Sequence, residues 1–213
     1  NRAYVIGGLD KQVGIECQVY TSENNSWLFE FPSLPKGRFN SVCFVYRDSL
    51  YGCGGTDNSS NMNEIVRYDL STQNSGEWTT IAKVNEANQR GGVAFVVEDK
   101  VYAGLGEKSN GIRNGFYVSS DSLTKWELIP SIPAQLGVIS SGVYDEQKKS
   151  FFMIDNDGKI WEYNLTTEQW TSRSLWIRMK NYHMFMLDGS IYILGQDIYQ
   201  KNKFTVYNPI WDN

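Results

Sequence analysis

Chemistry in this chain has to come from a short inventory. There is one histidine, His183, at the start of an apolar run. One imidazole suffices on paper for a Ser–His–Asp relay, but no G-x-S-x-G turn is present to expose a serine. Paired carboxylates such as Asp155 and Asp157 lie in Asp155-Asn156-Asp157-Gly158. Glycosidase carboxylates flank a bond at ~5–9 Å, and this spacing suits a turn instead. The same four residues look like the opening of a calcium loop, yet Tyr163 and Thr166 stand where the closing Glu is required. Cys17, Cys43 and Cys53 lack C-x-x-C spacing. Each sits in an alternating apolar run and reads as a buried free thiol. With a turn at Asp48-Ser49, Phe44 faces Cys53, so Cys43 and Cys53 fall on opposite faces of one hairpin. No metal, cofactor or catalytic residue is expected from these sets.

A second group of residues suits binding. Arg38, Arg90, Arg113 and Arg178 lie in polar stretches, as do Asn58, Glu107 and Asn110, with Trp176 and Tyr199 as nearby aromatics. Guanidinium forks grip carboxylates through two parallel hydrogen bonds, and aromatics beside Asn and Asp suit sugar rings. The plainer reading is that Arg38 and Arg90 tie a loop to a neighbouring strand while Trp176 packs.

The elements that must position these groups are short strands. Strand-like runs read Arg2–Gly8, Glu16–Tyr20 and Trp27–Phe31, then Ser41–Tyr46, Leu50–Gly55, Glu64–Asp69 and Trp78–Ile81. They continue with Val93–Val97, Val101–Gly106, Gly115–Ser119 and Trp126–Ile129, then Ser141–Tyr144, Phe151–Ile154, Ile160–Tyr163 and Trp170–Ser172. The clearest copy is Phe185–Gly195 with Phe204–Tyr207 and Trp211, turning at Asp188-Gly189, a strong two-residue hairpin signal. Asp99-Lys100 is a weaker one. Tryptophans 27, 78, 126, 170 and 211 are 51, 48, 44 and 41 residues apart. A period of ~40–50 residues marks propellers and solenoids. A lone four-stranded sheet cannot bury both faces, and radial stacking lets each cover the next. The Trp beginning each fourth strand is expected to fill the seam between sheets.

Composition agrees. The chain has 213 residues, 41% hydrophobic, with formal charge −4, which is enough for one β-rich domain. No basic run is present, so a nucleic-acid partner is excluded, and no apolar run approaches the ~18 residues of a membrane span. No signal peptide is visible. Sequons at Asn24, Asn58 and Asn164 would matter in a eukaryotic secretory protein.

A glycine pair ending the second strand, a tyrosine in the third and a tryptophan some seven residues on resembles the kelch repeat. Gly7-Gly8 and Gly54-Gly55 match it, Gly104-Leu105-Gly106 and Leu194-Gly195-Gln196 match in part, and Asp155-Asn156 replaces the glycines in the fourth copy. Ser119–Trp126 is similar to the Asp-box of sialidase-type propellers, broken at Leu123 and Lys125, and Thr21–Trp27 is a fainter echo. The resemblance implies an all-β, kelch-like β-propeller with about five four-stranded antiparallel blades, over 1–35, 36–84, 85–133, 134–176 and 177–213 of one domain. The first blade lacks its first strand and the last has at most the start of a fourth. The strands thus divide three, four, four, four, three, in a ring of five blades or a six-bladed ring extending upstream.

In kelch propellers the loops after the second strand and the segments between blades surround the channel mouth. The resemblance therefore implies a non-catalytic module that presents Arg38, Asn58, Arg90, Glu107, Asn110, Arg113, Trp176, Arg178 and Tyr199 to a protein or glycan ligand. It would be monomeric or part of a larger chain, and extracytoplasmic in a bacterial cell envelope. The alternative is a sugar epimerase of the sialic-acid mutarotase kind. A copper radical oxidase needs two His ligands, a sialidase an arginine triad, and a eukaryotic kelch adaptor a helical BTB-like segment; none is seen.

Overall fold

Alternation of apolar and polar side chains gives strands whose two faces differ, and here both faces carry apolar residues. The computed structural model describes residues 2–207 other than 73, 88, 109–110, 112–114, 121, 131, 174–178 and 198. Strands β1 (Arg2–Ile6), β2 (Cys17–Thr21) and β3 (Ser26–Phe31) form the first sheet. The second is β4 (Val42–Tyr46), β5 (Ser49–Cys53), β6 (Glu64–Asp69) and β7 (Thr79–Lys83), and the third β8 (Val93–Val97), β9 (Lys100–Gly104), β10 (Phe116–Ser119) and β11 (Glu127–Leu128). The fourth is β12 (Ile139–Asp145), β13 (Ser150–Asp155), β14 (Ile160–Asn164) and β15 (Gln169–Arg173), and the fifth β16 (Lys180–Leu187), β17 (Ser190–Gln196) and β18 (Asn202–Tyr207). Within each sheet strands pair with sequence neighbours, all antiparallel. These are propeller blades, in the three-, four-, four-, four-, three-stranded division expected. Trp211 lies outside the described residues.

The chain divides into two compact units, Asn1–Leu128 and Ile129–Asn213. In the first, β1–β3 packs Tyr4, Cys17, Val19 and Phe31 on Leu50, Val66, Tyr68 and Trp78 of the second sheet. The opposite face of the second sheet packs Phe44, Tyr51, Cys53 and Ile65 on Val101 and Leu123. In the second unit, Phe152, Ile154 and Ile160 of the fourth sheet meet Met184, Ile191, Ile193 and Tyr207 of the fifth. The hydroxyl of Ser141 also accepts the Met184 N–H at 2.9 Å.

Three expectations need correction. The β4–β5 hairpin turns at Arg47-Asp48, with φ of 45° and 55°, so Phe44 faces Tyr51 instead of Cys53. Likewise Val97 pairs with Lys100, which puts the next turn at Glu98-Asp99. Both registers differ from the expected ones by two residues on the second strand, so each side chain keeps its expected face, and the turns are closed by left-handed Arg47, Asp48 and Glu98. Asp188-Gly189 is the turn expected, with φ of 48° and 74°.

Cys43 is the second correction. Cys17 and Cys53 are buried, but Cys43 is exposed, on the opposite face of the hairpin from Cys53. The cause lies in the neighbouring sheet. Ile6 of β1 lies over Gly52 of β5, and β1 is the edge of a three-stranded sheet. β4 therefore overhangs it, and Cys43 and Val45 on that face are left uncovered.

Tryptophan is the third. Trp78 fills its seam, 8% exposed, and its indole N–H donates to the Pro32 carbonyl at 2.8 Å. Trp27, in β3, is 47% exposed. It packs tilted against Tyr20 as Trp78 does against Tyr68, with centroids 5.4 and 5.5 Å apart. However, its face of the sheet is the one turned away from β4–β7.

Candidate functional site

In each blade the loop leaving the second strand and the segment entering the first lie at the same end. In the first unit these segments are sewn together by backbone. Gly8 N–H donates to the Arg38 carbonyl at 2.9 Å, and Arg38 N–H to the Gly14 carbonyl at 3.1 Å. Phe39 and Thr56 exchange two such bonds, as do Arg90 and Glu107, and Gly55 N–H reaches the Gln89 carbonyl at 2.8 Å. Close approach requires glycine at Gly7: a Cβ there would stand 2.2 Å from the Arg38 carbonyl oxygen, and φ is +64°. Only glycine meets both conditions without strain.

On this frame Arg90 and Glu107 form the most developed side-chain pair. Both Nε and Nη2 of Arg90 donate to Glu107 Oε2, at 3.1 and 2.9 Å. The Asn61 side-chain amide donates to the Glu107 carbonyl at 2.8 Å. The arginine side chain is 47% exposed and the carboxylate 31%, so both face solvent. Gln89, 5% exposed, lies beneath them; its Oε1 accepts Gly106 N–H at 2.8 Å and its amide donates to the Glu86 carbonyl.

Arg38 is different. Its side chain is 1% exposed, one N–H reaches the Gly54 carbonyl at 3.2 Å, and Nη2 lies 3.8 Å from Glu64 Oε2. Burial works against its charge, and Glu64 works for it. It ties the inter-sheet segment to the second-strand loop from below, and Glu64 also has Lys83 at 3.7 Å. It does not reach the surface where a ligand would sit.

Asn58 occupies the tip of the next loop, exposed, with a left-handed φ of 76° that asparagine tolerates. Asp57 holds that turn by accepting the Ser59 N–H, the Ser59 hydroxyl and the Ser60 N–H. Its carboxylate also pairs with Lys36 at 2.7 Å. Lys36 first, and these donors next, hold Asp57 well below the usual carboxylate range. A concavity of about 620 Å³ lies over the Leu9–Val13 turn, lined by Gly7, Gly8, Asp10, Lys11, Gln12 and Glu16.

The first unit thus brings Arg90, Glu107 and Asn58 to one end, with Arg38 underneath. Tyr199 belongs to the second unit, 76% exposed at the tip of a turn in which Asp197 accepts the Tyr199 and Lys201 N–H groups. Asn110, Arg113, Trp176 and Arg178 lie outside the described residues, as does Asp121 of the Asp-box echo. Residues not singled out from sequence are Lys36, Asp57, Asn61, Glu64 and Gln89. For Asp57 a signal existed, because Asp-Asn-Ser-Ser is a side-chain-capped turn.

In the second unit Asp155 takes over from the glycine pair. Its carboxylate is 2% exposed and accepts four N–H groups: Gly137, Asp157, Lys159 and the Trp161 indole, at 3.3, 3.0, 2.9 and 2.9 Å. Positive φ moves to Gly158, at +82°, while Gly54 and Gly55 hold +65° and +89° in the second sheet. The carboxylate is consumed by the turn.

No family model matches this chain, and no curated protein does. Among solved structures it is similar to the structure of YjhT, with a TM-score of 0.77 and 17% identity, over 97% of this chain and 81% of that one. This likeness is one of fold, the β-propeller.

Proposed function

We propose that the chain is a binding module whose first unit presents its loop end to a protein or glycan ligand. The observation that supports this most is the Arg90–Glu107–Asn61 constellation. Its backbone is fixed by paired hydrogen bonds, yet its fork and carboxylate face solvent. Rigid loops with exposed donors and acceptors bind without an ordering cost. A protein carboxylate or a sugar hydroxyl could exchange with Glu107 on the fork. An extracytoplasmic setting belongs to the same proposal and rests on the kelch and Asp-box likeness.

The test is a glycan array and a protein pull-down with wild type and Arg90→Ala in parallel. A ligand retained by wild type and weakened at least several-fold by Arg90→Ala is expected. Retention that is indifferent to Arg90→Ala, Asn58→Ala and Asn61→Ala together would place the ligand elsewhere. Interconversion of sialic-acid anomers faster with the protein than without it would favour the sugar epimerase instead.

A further inference from the structure

Among the described arginines of the first unit, only Arg90 brings two nitrogens to one carboxylate. Its Nε and Nη2 share Glu107 Oε2 at 3.1 and 2.9 Å. Arg47 and Arg67 are similarly exposed, yet each brings Nη2 alone to an aspartate, at 3.4 and 3.5 Å. A side-on contact of the Arg90 kind occupies one edge of the planar guanidinium and leaves the Nη1–Nη2 edge for a second partner. Among the described residues nothing pairs with Nη1 of Arg90, and nothing donates to Oε1 of Glu107.

Glu107 is also tied in place. Its backbone exchanges two 2.9 Å hydrogen bonds with that of Arg90, and its carbonyl accepts the Asn61 amide. A ligand that replaced Glu107 on the fork would have to displace a partner already held beside it. A ligand on the other edge displaces only water, and it meets an arginine whose ordering cost is already met.

The second unit contains the same pairing with one more partner. Arg173 Nε and Nη2 share Glu162 Oε2 at 3.3 and 3.0 Å, and there Oε1 accepts the Ser150 hydroxyl at 2.9 Å. A side-on pair in this protein therefore takes a donor on its second carboxylate oxygen. At Glu107 that oxygen faces solvent.

We propose that Glu107 is a positioning residue, fixing Arg90 so that its Nη1–Nη2 edge takes a carboxylate from an acidic segment of a partner protein. Glu107 Oε1 accepts an N–H or hydroxyl next to that carboxylate, as Glu162 accepts Ser150. This rests on the binding-module reading above and names the ligand group at its site. The charges of Arg90 and Glu107 cancel, so the pair suits a singly charged carboxylate, whereas a phosphate dianion would be repelled by Glu107 about twice as strongly. Among the described residues of the first unit's loop end no aromatic ring is exposed, which favours a peptide over a stacked sugar.

The test follows the Arg90 Nε and Nη resonances by NMR in the intact protein, with Arg47 and Arg67 as internal references. A blocked serine–glutamate dipeptide, glucuronate and inorganic phosphate are titrated separately. The dipeptide should move the Arg90 Nη signals saturably, at concentrations several-fold below those that move the references, while Nε stays in place. Glu107→Gln keeps one oxygen for Arg90 but replaces the charged acceptor facing the ligand with a donor. It should raise the affinity for phosphate relative to the dipeptide several-fold, a reversal that a purely structural role would not produce. An Nε signal that moves together with Nη would mean that Glu107 leaves the fork, and would overturn the proposal. So would an Arg90 no more responsive than Arg47 and Arg67, glucuronate or phosphate bound as tightly as the dipeptide, or a selectivity unchanged in Glu107→Gln. In each case the binding-module reading stands as long as a captured partner still depends on Arg90; a partner indifferent to Arg90→Ala ends both.

Discussion

Asp155→Gly separates motif from structure. By the kelch pattern, glycine belongs at this position, and restoring it should be harmless or helpful. By the structure it should be costly. The carboxylate takes four N–H donors, of which Gly137 N–H and the Trp161 indole are buried and the Asp157 and Lys159 N–H groups partly so. The latter two can turn to water. The former two cannot, and each unsatisfied buried donor costs about 1–3 kcal/mol, so the loss is about 2–6 kcal/mol. Whole domains have only ~5–15 kcal/mol. Urea unfolding followed by tryptophan emission should show the midpoint falling, by about 1–3 M for a 3 kcal/mol loss. Asp155→Asn should recover part of this, since one oxygen remains to accept while its NH₂ opposes the other donors. A midpoint for Asp155→Gly equal to or above wild type would refute the reasoning and restore the glycine reading.

Four further outcomes are expected. Arg90→Ala should cost under about 1 kcal/mol in thermal unfolding, as exposed ion pairs do, so any lost ligand binding would be a direct contact effect. Gly7→Ala should destabilise by about 1 kcal/mol or more, because its φ and the Arg38 carbonyl both oppose a Cβ; an unchanged melting curve would contradict this. A thiol reagent should modify Cys43 alone in the native protein, because it is the exposed one of the three. Cys17 and Cys53, pushed up to about 12 by burial, should react only on unfolding. Finally, the Lys201 and Tyr199 N–H groups and Lys203 hold the Asp197 carboxyl below its usual 3.8. Its contribution to stability is present above that value and lost as pH falls through the lower folded one. Exchange protection at Tyr199 and Lys201 N–H should therefore fade in acid, and a flat profile would argue against the turn.

Much of the fold was legible because the repeat is redundant. Phe44–Tyr51 and Phe185–Tyr192 recur at the same spacing, and alternation assigns their faces without any turn rule. The turns themselves were less legible. Arg47 and Glu98 hold positive φ although neither residue favours it, so local chemistry pointed one residue too far along. The exposure of Cys43 was invisible, since it depends on how many strands the adjacent sheet has and not on the hairpin that carries the cysteine. Arg38, Asn58, Arg90 and Glu107 were singled out by residue type, and the tie made by Arg38 and Arg90 was anticipated. The partners were not, because they are distant in sequence: Glu64 for Arg38, Lys36 for the Asp57 turn that bears Asn58. Asp155 could be seen as a departure from the repeat, but one of its four donors, Gly137, comes from a separate segment that only the fold brings near.

The second sheet divides its apolar residues between two clusters, with Leu50, Val66 and Tyr68 on one side and Phe44, Tyr51 and Ile65 on the other. Such a sheet has no private core. Its stability is held jointly with whichever neighbour lies on each side, as in a one-dimensional chain of coupled elements. Mutational damage at Leu50 should then spread to β1–β3, and damage at Ile65 to β8–β11, while either leaves the far neighbour nearly untouched. For the history of the chain this means that whole blades can be gained or lost by duplication with few compensating changes, whereas a change within one blade is felt across the seam by its neighbour.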